Sequence, residues 1–341
     1  MSNYTDNIYI DDALEYTGQA WIDKVLLHQK GKLEGIEEHP DETLQKIFQS
    51  ITMSHLHNVG DIEPTKLSQY SDYSNQYKWY PSDTEQQFNL HLENPDTRGI
   101  LYKYGWSDNN GKPTPVHYDL NEFGFRCKNF SDKDGILFLG CSLTFGVGVR
   151  REDTWTQIVS DHFGLENWNL GMPGRGLDAI ALYCRLFLDN LIPNTKAICI
   201  YMPPPGRKSI FMETKLKGPD EKNTAPLELA HLNGMDWKND DYWDKPLPRP
   251  IHKDFTTNNV SERDLFLNWM WKRENSFYNE LASVSIIKTI ADERKVPLVI
   301  LNSFDNIFQD HKDLGRDLLH PGIDNHKALA DKFILNLDID K

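Results

Sequence analysis

Cysteine is scarce in this 341-residue chain, and its four copies, Cys127, Cys141, Cys184 and Cys199, follow no metal-site or disulfide spacing. Two lie inside apolar, strand-like runs, so buried thiols in a reducing compartment are expected rather than a disulfide framework. Long apolar runs are missing too: nowhere do about 18 apolar residues follow one another, which argues against a membrane-spanning helix. The opening MSNYTDNIYIDDALEY has neither a basic start nor an apolar run of leader length, so a cytoplasmic or phage-type product is the expectation. Positive charge is in short supply, with 37 Lys and Arg against 51 Asp and Glu, a formal net charge of -14. That sign disfavours nucleic acid and anionic membranes as partners. Repeats of solenoid or propeller period and low-complexity tracts are lacking. So are a Gly-x-Gly-x-x-Gly after a strand and a phosphate-loop lysine motif, for which Gly146-Val147-Gly148 is too short. His55-Leu56-His57 has no companion ligands at zinc-like spacing, so neither a metal nor another cofactor is expected.

What is present divides the chain in two. Residues 1–115 are polar, aromatic and acidic, with helical spacing around 12–29 and 41–54 and turn-rich chain beyond; they form an N-terminal extension without an assignable fold. From residue 135 short apolar runs alternate with helical stretches. Strands are expected at 136–139, 167–170, 196–202 and 296–302, and helices at 153–163, 177–191, 262–294 and 324–335. This alternation predicts an α/β fold over 116–341, a three-layer sandwich with a central parallel sheet of flavodoxin-like kind and right-handed crossovers. An insertion at about 203–260, rich in proline, charge and aromatics and without a helical or strand period, reads as a lid or rim. Its Trp237, Tyr242 and Trp243 are placed either to stack on sugar rings or to form a satellite hydrophobic cluster.

The run Ile136 to Leu139 is apolar at every position, as in a strand covered on both faces. It ends at Gly140-Cys141-Ser142, which sets Ser142 beyond the carboxyl end of a parallel strand, where open α/β sheets bind ligands. A serine hydroxyl becomes a nucleophile when an imidazole accepts its proton and a carboxylate orients the imidazole. The stretch RDLLHPGIDNH, residues 316–326, supplies Asp317 and His320 three positions apart. Pro321 and Gly322 hold it out of a helix, and Asp324 stands where it could cap the helix that follows. Cys141 is disfavoured as the nucleophile, because alternation along extended backbone turns its side chain into the core.

Gly140-Cys141-Ser142-Leu143-Thr144 resembles the first block of the SGNH, or GDSL, hydrolases, with Cys141 in place of the usual aspartate. Asn169-Leu170-Gly171-Met172-Pro173-Gly174 is similar to their second block, and Asp317-Leu318-Leu319-His320-Pro321 to their last, with Asn325-His326 where the family often has Gly-His. Tyr118 to Arg126, YDLNEFGFR, is similar to a lead-in found in some members. The resemblance covers about residues 115 to 337. It implies an SGNH-like esterase or deacetylase with Ser142 as nucleophile, His320 as base, Asp317 as its orienter, and the amides of Ser142 and Gly174 as oxyanion donors. The partner it implies is a small-molecule or glycan ester, with an O-acetylated carbohydrate favoured; oligomeric state is not addressed.

One block departs from the family. Where Gly-x-Asn-Asp is usual, this chain reads Tyr201-Met202-Pro203-Pro204-Pro205-Gly206-Arg207. Proline has no amide hydrogen, so the third oxyanion donor is missing unless Arg207, Asn302 or an insertion residue replaces it. The same triad would equally serve an O-acyltransferase, with a sugar hydroxyl in place of water. A non-catalytic binding or structural protein of the same fold is the third reading.

Overall fold

The computed structural model describes residues 65–66, 72–80, 82–204, 207–213, 227–232, 273–302 and 313–339. Near the N-terminus β1 (Thr65–Lys66) pairs antiparallel with β2 (Asn75–Tyr77), and β2 with β3 (Tyr118–Leu120). Between β2 and β3 stand two helices, α1 (Glu85–Glu93) and α2 (Pro95–Lys103). The sequence pattern gave this stretch as turn-rich, and the difference has a local cause. Each helix is short, but each carries its own start signal: Thr84 Oγ1 accepts the Gln87 amide, and Asn94 Oδ1 accepts the Asp96 amide ahead of Pro95 in the first turn.

The main sheet begins with β4 (Gly135–Gly140), buried at all six positions. There follow α3 (Ser142–Phe145), a 3₁₀ turn at Arg151–Asp153, α4 (Trp155–Phe163), β5 (Glu166–Asn169), α5 (Leu177–Asn190) and β6 (Thr195–Met202). A two-stranded antiparallel pair, β7 (Lys208–Glu213) with β8 (Leu227–Leu232), lies in the insertion. The segment, which shows no clear strand period as a whole, thus holds two six-residue strands among its prolines and charges. The chain closes with α6 (Arg273–Arg294), β9 (Leu298–Asn302) and α7 (Ile323–Asn336). The expected helices at 12–29 and 41–54, His55 and His57, and Trp237, Tyr242 and Trp243 lie outside the described residues.

The four long-range strands are parallel in the order β5-β4-β6-β9. The chain is thus α/β, as the alternation of runs predicts. Side chains alternate across the sheet, and both faces are apolar: Leu137, Leu139, Ile198 and Ile200 point into one core, Ile136, Phe138, Ala197, Cys199 and Tyr201 into the other. Residues of α5 and α6 cover the first face and residues of α4 and α7 the second, which makes three layers. The first core also takes in Tyr77, Tyr80, Phe88, Leu101, Trp106, Val116 and Tyr118, so the segment before β4 packs continuously with the sheet. All four cysteines are buried and no disulfide joins them. Among the described residues no helix is long and apolar enough to cross a membrane.

Candidate active site

Strand β4 has β5 on one side and β6, followed by β9, on the other, so the connections leaving the carboxyl ends of β4 and β6 run in opposite directions, the place where open α/β sheets bind ligands. Ser142 is the first residue of α3 at that end, 8% exposed. Cys141 lies buried beneath it, with its Sγ 4.0 Å from Ser142 Oγ. Arg126, in the lead-in segment, fastens the elbow from behind. Its guanidinium donates to the carbonyls of Phe145, Gly146, His117 and Val149 and stacks over the Tyr118 ring.

The stretch after β5 lies directly against this elbow. Met172 N donates to Gly140 O at 3.1 Å, and Asn169 Nδ2 donates to Thr144 O at 2.8 Å while its Oδ1 accepts the Gly171 amide. A methyl group at Gly171 would stand 2.6 Å from the Phe145 nitrogen, so only glycine allows the two backbones to approach this closely. The turn then presents Gly174, whose amide hydrogen has no backbone acceptor among the described residues.

The third part comes from the loop before α7. His320 Nδ1 meets Asp317 Oδ2 at 2.5 Å, while Asp317 Oδ1 accepts the amides of Leu319 and His320 at 3.1 Å each. Leu318 between them takes a left-handed φ of 53°, which folds the turn tightly enough for both bonds. Burial opposes ionisation of Asp317, but the His320 hydrogen bond and charge, with those two amides, outweigh it and hold the carboxyl below its usual range. The imidazole keeps a side-chain exposure of 20%, whereas the Asp317 side chain has none. Asp324, expected to cap the following helix, does not: Gly322 is the N-cap, and Asp313 accepts the amides of Asp324 and Asn325. The cap is donated from ten residues before the helix, beyond the short-range pattern that sequence reading tests.

Serine and histidine loops are tied together by the backbone. Arg316 N donates to Gly148 O at 2.8 Å, and Gly148 has a left-handed φ of 78° with a would-be methyl only 3.0 Å from Asp317 Oδ1. Ser142 Oγ and the imidazole are not hydrogen-bonded to each other. Such bonds are commonly open without substrate and close in the complex.

Sequence reading missed the group that holds the histidine loop. Arg316 Nε and Nη2 grip the Asp83 carboxylate at 2.6 to 3.0 Å, its other donors go to Thr114 O and Lys78 O, and Trp79 stacks on its guanidinium. Tyr118 Oη donates to Asp83 Oδ2 and accepts the Gly148 amide, joining this ion pair to the serine elbow. Burial, chiefly, and the Asp83 charge keep the Tyr118 phenol protonated and therefore a donor. Ser82 Oγ donates to Asp317 Oδ2 at 3.1 Å, and Trp106 Nε1 to Leu314 O at 2.7 Å. The Arg316, Ser82 and Trp106 contacts each span more than 200 residues, which no local spacing shows.

Past β6, Pro203 is buried and Pro204 exposed, and neither has an amide hydrogen to offer. Arg207 lies against the second-block turn: its carbonyl oxygen would be 2.4 Å from a methyl at Gly176, the N-cap of α5. Its Nε and Nη1 are buried and have no hydrogen-bond partner among the described residues.

No protein-family model matches the chain, and no curated protein matches it. Among solved structures it is similar to a protein assigned to the lipolytic G-D-S-L family from Desulfitobacterium hafniense, at 11% identity and a TM-score of 0.29 over 60% of this chain and 99% of that one. A member of the lipolytic G-D-S-L family from Veillonella parvula aligns at 13% identity and a TM-score of 0.27, over 59% and 97% of the two chains. A carbohydrate acetylesterase family member from Sinorhizobium meliloti aligns at 14% and 0.25, over 59% and 96%. Similarity this distant assigns no activity to the chain.

Proposed function

We propose that the protein is a serine ester hydrolase of SGNH type, acting on an acyl ester of a small molecule or glycan. One observation carries the reading: a His320–Asp317 pair stands on a loop whose backbone is hydrogen-bonded to the elbow carrying Ser142. In this reading Ser142 Oγ attacks the acyl carbonyl carbon as His320 Nε2 takes the hydroxyl proton. Asp317, ionised and bonded to Nδ1, holds the imidazole in the tautomer that leaves Nε2 free to accept. The tetrahedral oxyanion is met by the amides of Ser142 and Gly174. Cleavage of the bond to the alcohol oxygen passes the proton from His320 to the leaving group. Water, activated by the same imidazole, then adds to the acyl-enzyme, releasing the acid and restoring Ser142.

Loss of the family's third donor at Pro203–Pro204 would weaken transition-state binding by about 3 kcal/mol if nothing replaced it. The two partnerless buried nitrogens of Arg207, beside the second-block turn, support Arg207 as the replacement. An O-acetylated carbohydrate is the substrate class proposed, on the resemblance and the aromatic insertion.

Labelling with a fluorophosphonate probe followed by peptide mapping tests the reading. The expected outcome is modification of Ser142 in the wild type, abolished in Ser142→Ala and reduced by at least about a hundredfold in His320→Ala, the loss of general-base help. Folded wild type that takes no label would favour the non-catalytic reading and point to Pro203–Pro204.

A further inference from the structure

An ionised carboxylate offers about four acceptor positions, and those of Asp317 are all taken. Two on Oδ1 hold the amides of Leu319 and His320, one on Oδ2 holds the imidazole, and the last holds Ser82 Oγ. Three of these donors belong to the carboxylate's own turn. The fourth reaches it from 235 residues upstream.

The placement of Ser82 is built rather than incidental. The adjacent residue, Asp83, is locked in a buried ion pair with Arg316, the residue before Asp317. Two consecutive residues of the N-terminal segment thus grip two consecutive residues of the histidine loop. On its other side Ser82 is pinned through its carbonyl, which accepts the amide of Thr84, the cap of α1.

We propose that Ser82 is a positioning residue of the site: its hydroxyl fixes the Asp317 carboxylate that orients His320. The inference rests on the hydrolase reading for its catalytic consequence, though the coupling of Ser82 to His320 does not. Because Ser82 and the imidazole share Oδ2, the serine bond draws electron density from the oxygen that the imidazole uses. Without that bond the carboxylate is a stronger partner for the imidazolium and is freer to rotate. His320 should then hold its proton to higher pH and act less effectively as a base.

The test uses the full chain as wild type, Ser82→Ala and Ser82→Thr, with two readouts: titration of the His320 imidazole by NMR, and the rate of Ser142 labelling by fluorophosphonate against pH. Ser82→Ala should raise the His320 midpoint by about half a pH unit, move the acid limb of the labelling profile with it, and slow labelling about tenfold. Ser82→Thr, which keeps a hydroxyl, should restore both. A packing role alone would leave the titration in place, so an unmoved His320 midpoint in Ser82→Ala overturns the proposal. Wild type that takes no label, while its His320 midpoint still depends on Ser82, overturns the hydrolase reading and leaves the coupling standing.

Discussion

At the scale of single residues, burial decides which side chains can work as acids and bases. His326 falls six positions after His320, yet it is 1% exposed, and its Nδ1 accepts the Trp155 amide. Burial, chiefly, and then the Arg126 charge push its imidazole down to about 3. It is therefore neutral in the folded protein, while the unfolded chain binds a proton there below about pH 6.5. Stability is present above that pH and falls as pH drops through the window from 6.5 to 3. By pH 5 the loss should be about 2 kcal/mol. Urea unfolding at pH 7 and pH 5 checks this: His326→Gln should lose less stability than the wild type on acidification, and an identical loss would show that the imidazole takes up its proton in the fold as readily as in the unfolded chain. Ser142, Asp317 and His320 were nameable from sequence because each lies in a short, recognisable block. Ser82 was not, because its partner is distant in the chain and serine is common in turns.

Elements were legible to the degree that their signals are local. The strand at 136–139 stood out because burial on both faces leaves no polar position, and the structure extends it by one residue at each end. Helix α4 begins where Thr154 Oγ1 accepts the Gln157 amide, so the start expected at 153 falls instead on the last residue of the 3₁₀ turn. Helix α7 follows its period, but the carboxylate that serves its first turn is Asp313 and not Asp324. Asp313 satisfies two first-turn amides and also holds Asn325 Nδ2 through its Oδ1 and its carbonyl. Asp313→Ala should therefore destabilise the protein by about 1 to 2 kcal/mol, read as a lower urea midpoint with an unchanged slope, and Asp324→Ala should be nearly neutral. Equal effects of the two substitutions would contradict the assignment.

Across the whole molecule, the segment before β4 and the sheet share one hydrophobic core and one buried ion pair. Removing Asp83 would leave the Arg316 guanidinium, 2% exposed, without its counter-charge. Asp83→Ala should cost about 3 to 5 kcal/mol. Because the core is continuous, the tryptophans of both parts should report one transition, Trp79 and Trp106 before β4 together with Trp155 and Trp168 in the sheet domain. Fluorescence and far-UV circular dichroism should therefore coincide in urea, and an early, separate loss of the Trp79 and Trp106 signals would refute a shared core. Residue order alone is enough for the parallel sheet, the helices that cover it and the three short blocks at its carboxyl edge, since period, burial and turn chemistry act over a few residues. What holds those blocks together is visible in the folded chain alone: the Arg316–Asp83 pair, the Tyr118 bridge and the Ser82 bond to Asp317. Each joins residues far apart in the chain, and hydrogen bonds between common polar side chains leave no periodic trace in the sequence that makes them.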